Sequence, residues 1–190
     1  MTHAATLPAC LDEAFRRLAA GVKDRRCAFH TPTLATTGLD GAPEIRTVVL
    51  RGFDGTQRVV LLHTDARSRK VASLLREPRC AVHLYDAVAA LQLRLTGRCT
   101  VHSNDGIVEG AWRASRPASR KCYATERTPG SPVPEPPQAP TDPEMGRAHF
   151  RVLCIRFDRL EWLHLSAGGH RRALFTWRDD AALQCTWLVP

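Results

Sequence analysis

The segment His63-Thr64-Asp65-Ala66-Arg67-Ser68-Arg69-Lys70 carries the densest chemistry in the chain. It leads from a strand pattern into a helix pattern, with Asp65 or Ser68 as cap and two cations in the first helical turn. Cations there oppose the helix dipole. A bound anion reverses the sign, because free N–H groups, a hydroxyl, a guanidinium and an ammonium would then converge on it, as a phosphate site at a helix start requires. Arg46-Thr47-Val48-Val49-Leu50-Arg51 reads as a strand with a guanidinium near each end. Alternation puts positions 46 and 51 on opposite faces unless a bulge intervenes, so one arginine faces a ligand and the other a second site or the surface. Gln92 lies on the polar side of its strand and either offers an amide to a heterocycle or faces solvent. Trp162 and Trp177 read as core or interface residues first and stacking platforms second. Other chemistries are weakly signalled. Adjacency in His63-Thr64-Asp65 does not give a catalytic triad its geometry, and no Gly-x-Gly-x-x-Gly follows a strand. Ser166 to Arg172 reads as a basic connecting turn.

These residues need elements to hold them. Leu11, Phe15, Leu18 and Val22 recur at helical spacing and predict a helix over 11–23. Strands are expected at 29–37 and 45–51, joined through the turn-rich Gly38-Leu39-Asp40-Gly41, and at 58–63. A helix over 68–76 follows, closed by Pro78. Strands at 79–85 and 91–102 come next, then a helix capped at Asn104-Asp105 and running to about Arg116. Residues 129–143 hold seven prolines and should form an extended surface segment, read as a loop within the domain. Strands resume at 148–157, 160–165, 173–177 and 183–188. Hairpin-linked strands on both sides of the proline segment, with two or three helices, imply one α+β domain over 1–190, built round an antiparallel barrel.

The chain has 190 residues, 44% of them apolar and 24% charged, which suits one folded domain and excludes a disordered or fibrous chain. Lys+Arg 27 against Asp+Glu 19 leaves a net charge of +8, nearly all of it from arginine, and asks for an anionic partner. Nucleic acid is not expected, because the arginines are spread along the chain and no recognition motif accompanies them. Seven cysteines, an odd number with no Cys-x-x-Cys pair, signal neither a disulfide framework nor a metal site and read as reduced thiols. The N-terminus lacks a secretory pattern and no apolar run approaches the length of a membrane span, so a cytoplasmic protein with no membrane partner is expected.

The order of motifs resembles the pyridoxamine 5′-phosphate oxidase family. It is carried by Arg46 to Arg51, Thr64 with Ser68-Arg69-Lys70, Gln92 followed by Gly97, Ser115-Arg116-Pro117, Glu161-Trp162 and His170-Arg171-Arg172. The resemblance implies an FMN-binding split β-barrel, α+β and predominantly antiparallel, that is a homodimer with FMN at the subunit interface. Carried over by position, Arg46, Thr47, Val48, Val49, Leu50 and Arg51 would line the flavin, and His63 and Thr64 would lie close to it. Ser68, Arg69 and Lys70 would hold its phosphate. Gln92 would reach the ring, and Trp162 and Arg172 would approach from the other subunit. Arg51, Trp112, Arg116 and His170 would contact substrate, while no catalytic residue is assigned.

The departures bear on substrate. Gly168 stands where the family oxidase has an arginine, Trp112 falls near its tyrosine, and Arg51 replaces its usual lysine. Loss of one guanidinium from a phosphate grip removes about 1.5–3 kcal/mol, or about ten- to a hundredfold in binding. The resemblance therefore implies an FMN-dependent oxidoreductase of a small, anionic substrate more than vitamin B6 phosphate oxidation itself. The alternative is a split-barrel protein that holds flavin or haem without turnover.

Overall fold

The computed structural model describes residues 6–178 and 182–190; residues 1–5, the first part of the N-terminus read above as lacking a secretory pattern, lie outside them. Helix α1 (Leu7–Lys23) starts earlier than the apolar spacing predicts, because Thr6 caps it and a proline occupies its first turn. It buries Cys10, Ala14 and Leu18 against the sheet.

The strands are β1 (Thr33–Thr37), β2 (Pro43–Thr47), β3 (Leu50–Asp54), β4 (Val59–Asp65), β5 (Arg79–Asp86), β6 (Leu91–His102), β7 (Phe150–His164), β8 (Arg171–Trp177) and β9 (Leu183–Leu188). All pair antiparallel, in the order β2-β1-β5-β6-β7-β4-β3, with β8 on the C-terminal half of β7 and β9 outside β8. The two ends of this path, β2 and β3, are joined through Val48 and Val49 alone. So short a link forces the sheet to curl until its edges approach, yet β2 and β3 are not hydrogen-bonded to each other. The result is an open, split barrel, as expected from the sequence. Alternate residues of β6, Leu91, Leu93 and Leu95, fill its interior with Trp162, Phe157 and Phe175.

Three strand assignments change, the first being that the strand expected at 29–37 starts only at Thr33, since Ala28–His30 form a 3-10 turn. The expected strand at 45–51 is two strands that belong to opposite ends of the sheet, broken where the Val48 N–H donates to Pro32 O. The expected strands at 148–157 and 160–165 are one, β7, because both halves pair continuously with β6. A bulge at Thr96/Gly97 takes up the difference, and a Cβ at Gly97 would overlap the backbone of Arg156 and Phe157.

The helices α2 (Arg69–Arg76), α3 (Gly106–Ala114) and α4 (Pro117–Arg120) lie on the connections. The proline segment carries no helix or strand and is exposed through most of its length. Arg67 anchors its start: the guanidinium is paired with the buried Asp65 at 2.7 Å and donates to Thr125 O and Glu126 O. No helix among the described residues is long and apolar enough to cross a membrane. The cysteines are free, with Cys10, Cys80 and Cys99 buried and Cys122 and Cys185 exposed.

Candidate functional site

Strand β4 runs into α2 at Ser68, the N-cap residue, whose side chain makes no capping bond. Lys70 Nζ instead donates to Ser68 Oγ at 2.6 Å and to Thr64 Oγ1 at 3.3 Å. Burial lowers the pKa of Lys70, and the nearby charge of Arg46 lowers it further, against the opposing pull of Asp65 and Glu44. Glu44 accepts from Arg46 at 2.8 Å and pairs with Arg69 at 3.4 Å. Arg46 also donates to Thr36 Oγ1 and Leu34 O, so its guanidinium is bound into the β1–β2 hairpin. At the start of this eight-residue helix two guanidinium groups thus share the Glu44 carboxylate, while the Lys70 ammonium, within electrostatic reach of it, is held by two hydroxyls. This arrangement can hold a phosphate. Glu44 was not among the expected residues, although its place two residues from Arg46 on the same strand face was the signal for it.

The neighbouring residue His63 faces the other side of β4, as alternation requires. Its ring meets Phe150 edge-on, with centroids 4.8 Å apart, and it lines a cavity of about 520 Å³. The cavity lies between the end of α1, strands β3 and β4, and α3. Arg51 enters it because the β3–β4 register shifts between Leu50 and Gly52. Arg51 is the extra residue of that bulge, so alternation along 46–51 does not apply; the two arginines serve separate places because they lie on β2 and β3, at opposite ends of the sheet. Arg51 Nε is buried with no acceptor, and among the described residues no carboxylate lines the cavity. Burial lowers the pKa of His63 to about 4, and the charge of Arg51 adds to the effect, so its imidazole is neutral at pH 7. Arg116, Lys23 and Arg25 lie at the exposed margin of the same cavity. His30 also lines it, with Nδ1 held 2.7 Å from Gly21 O.

The remaining expected residues are placed elsewhere. Leu50 is a core residue, Val48 packs against the core, Thr47 is exposed and Val49 is half-buried. Trp162 is wholly enclosed and its indole N–H donates to Glu13 Oε2 at 3.2 Å. It has no face open to a ligand, which corrects the expectation that it approaches a flavin from a neighbouring subunit. Trp112 is likewise buried against Phe150, with its N–H on Glu144, and does not line the cavity with Arg51 and Arg116. Gln92 Oε1 lies 3.1 Å from His83 Nε2. Arg172 donates to Glu161, which also accepts from Arg94 and Arg159. Burial would raise the Glu161 pKa, but these hydrogen bonds outweigh it and hold the carboxyl at about 2. His170 Nδ1 accepts from the Ser166 N–H within its own turn. Gln92, His170 and Arg172 therefore belong to the β6–β8 region and not to the cavity.

Residues 12–103 match the family described as pyridoxamine 5′-phosphate oxidase, FMN-binding domain. Pyridoxine/pyridoxamine 5′-phosphate oxidase 2 of Arabidopsis thaliana is 34% identical over 143 residues, which span 70% of this chain and 72% of that protein. The pyridoxine/pyridoxamine 5′-phosphate oxidase of Burkholderia lata is 31% identical over 177 residues, 84% of this chain and 77% of its own. A pyridoxamine 5′-phosphate oxidase-related FMN-binding protein of Nostoc punctiforme shares the fold with a TM-score of 0.79, at 23% identity and full coverage of both chains. PhzG of Burkholderia lata, crystallised with tetrahydrophenazine-1-carboxylic acid, shares it with a TM-score of 0.71, at 20% identity, over 96% of this chain and 92% of its own. The chain belongs to the FMN-binding pyridoxamine 5′-phosphate oxidase family, and FMN is its cofactor.

Proposed function

We propose that the protein is an FMN-dependent oxidoreductase acting on a small anionic molecule, as a homodimer with FMN held between the subunits. The observation that carries this reading is the guanidinium of Arg51, whose Nε is buried without an acceptor in a cavity of about 520 Å³ that no carboxylate among the described residues lines. That cavity shares β4 with the cluster of Thr64, Ser68 and Lys70, which fits a phosphate. Lys70, Arg69 and Ser68 would hold the FMN phosphate, with Glu44 keeping the cations in place. When bound, FMN supplies a ring that accepts a hydride. Arg51 and Arg116 draw the substrate's anionic group into the cavity, and neutral His63 lets the group approach without adding a proton of its own.

Gln92, His170 and Arg172 sit on the β6–β8 region of the same chain, apart from the cavity, so a second copy is the natural way for them to meet this cofactor. Strand β9 leaves Leu183 and Trp187 exposed at the sheet edge, as a surface destined for burial would. The vitamin phosphate grip is reduced, since Trp112 is turned into the core and Gly168 brings no charge.

Reconstitution with FMN tests the cofactor, and light scattering tests the assembly. A flavin spectrum perturbed from that of free FMN and a particle of twice the chain mass are expected. Failure to retain FMN would sink the proposal, and so would bound flavin that no anionic substrate reduces under anaerobic conditions. Pyridoxamine 5′-phosphate should reduce the flavin more slowly than it reduces that of the Arabidopsis relative.

A further inference from the structure

The connection over residues 124–143 is one that the sheet does not need. Where the chain returns to the body at Gly146, a Cβ would come 2.8 Å from Arg120 O and 3.0 Å from Ala124 N, so the two ends of the excursion touch. Both ends are clamped. Arg67 donates to Thr125 O and Glu126 O at the first, and Glu144 accepts from Arg120 at 2.6 Å and from Trp112 at 3.2 Å at the second. Connections of this length without helix or strand are uncommon in a compact domain and mostly serve a function or link domains. A domain linker is excluded, since both ends meet on one body. Between the clamps the sequence has a period of three. Val133-Pro134-Glu135, Pro136-Pro137-Gln138 and Ala139-Pro140-Thr141 are consecutive triplets of an apolar residue, a proline and a polar residue. Proline fixes its own φ and biases the residue before it towards extended backbone, so this stretch favours polyproline II, with about three residues per turn. One edge of that helix holds Pro134, Pro137 and Pro140, the second Val133, Pro136 and Ala139, and the third the polar residues. The chain bends at Pro134–Glu135 and runs without bend or turn from Pro136 to Pro140, and of these nine residues all but Pro140 are exposed.

We propose that residues 133–141 are a docking segment for a second protein whose groove, lined by aromatic side chains, reads polyproline II. In that mode each apolar–proline pair fits between aromatic rings, and a period of three sets successive pairs on the same side of the helix. Two apolar edges are then covered while Glu135, Gln138 and Thr141 stay in water. Little conformational freedom is lost, because the prolines restrict the chain and the clamps hold its ends before any partner arrives. Glu135 is the one charged residue within 133–141, so recognition rests on shape and apolar contact. The docking segment is independent of the chemistry proposed for the cavity.

The test is NMR titration of the isotope-labelled full chain with an SH3 domain and with a WW domain, two probes whose grooves are of this kind. The amide signals of Val133, Glu135, Gln138, Ala139 and Thr141 should shift with at least one probe, and those of the sheet should not. Pro137→Ala removes the proline common to the pairs that start at Val133 and at Pro136, and should weaken this binding about tenfold. Gln138→Ala, on the polar edge, should change it less than about twofold. Both variants should melt with the parent and take up FMN as it does, because both positions are exposed. The proposal fails if neither domain shifts the segment at millimolar concentration, or if Gln138→Ala weakens binding as much as Pro137→Ala. It fails equally if Pro137→Ala lowers the particle mass in light scattering, which would assign the segment to contact between copies of this chain.

Discussion

Two groups of cations lie on opposite faces of β4, and they are built differently. Around the start of α2, Lys70, Arg46 and Arg69 are bound to hydroxyls, backbone carbonyls and the carboxylate of Glu44 before any ligand arrives. In the cavity, Arg51 has no carboxylate partner and its Nε has no acceptor. Partners in place make the first group a rigid socket, suited to a cofactor that stays. An unsatisfied guanidinium leaves the second at higher free energy when empty, which favours a ligand that comes and goes. The difference also separates the roles of two arginines that stand five residues apart in one stretch of sequence.

The sharpest way to break this contrast is to remove the socket's ammonium. Lys70→Ala should weaken FMN about ten- to a hundredfold, the worth of one charge-assisted bond, as read by titration of flavin fluorescence. Unchanged FMN affinity would mean that the cofactor phosphate sits elsewhere. Next in size is the acid sensitivity of the cavity. His63 titrates at about 4 in the folded protein against 6.5 unfolded, so the unfolded state binds the proton more readily and stability falls as pH drops from about 6.5 towards 4. At pH 5 the loss is about 2 kcal/mol. His63→Gln should remove it, and denaturant midpoints of the two proteins should converge at pH 7 and differ at pH 5; a constant difference would show that protonation of His63 is not the cause.

Smaller still is the effect on anion binding. Arg51→Gln should weaken benzoate, a small carboxylate, about tenfold while FMN affinity changes less than that, the reverse of the Lys70→Ala pattern. It should also raise the His63 pKa, since the guanidinium charge is one of the two causes that lower it, and NMR titration of the ring reads this directly. Equal losses of both ligands would merge the two regions into one site. The smallest effect is on the fold itself. Gly110→Ala should stabilise α3 by about 1 kcal/mol at most, or about 2–4 °C in melting temperature, because its new methyl group meets nothing. A lower melting temperature would show that the glycine serves packing.

The socket was legible in the sequence because its parts are local. Thr64, Ser68, Arg69 and Lys70 lie within one strand end and one helical turn, and helix geometry alone brings them together. The cavity was legible only in pieces. Arg51 and Arg116 were candidates, but nothing in their spacing showed that α3 and the end of α1 would enclose them, and Gly110 reads in sequence as a weak point of a helix. Trp112 and Trp162 illustrate the opposite limit. A tryptophan suits a core and a binding site equally, and in both cases burial against Phe150 or Glu13 decided for the core.

Composition, hydrophobic period and turn residues by themselves determined an α+β chain of antiparallel strands with hydroxyls and cations gathered at the start of its second helix. These are properties of neighbours in sequence, where propensity and side-chain alternation act directly. Which strands pair, that residues 45–51 divide between the two ends of the sheet, and that a bulge turns Arg51 towards α3 were decided only in the tertiary structure. Each depends on contacts between segments far apart in the chain, where the gain from burying the joint core outweighs the preference of any one stretch.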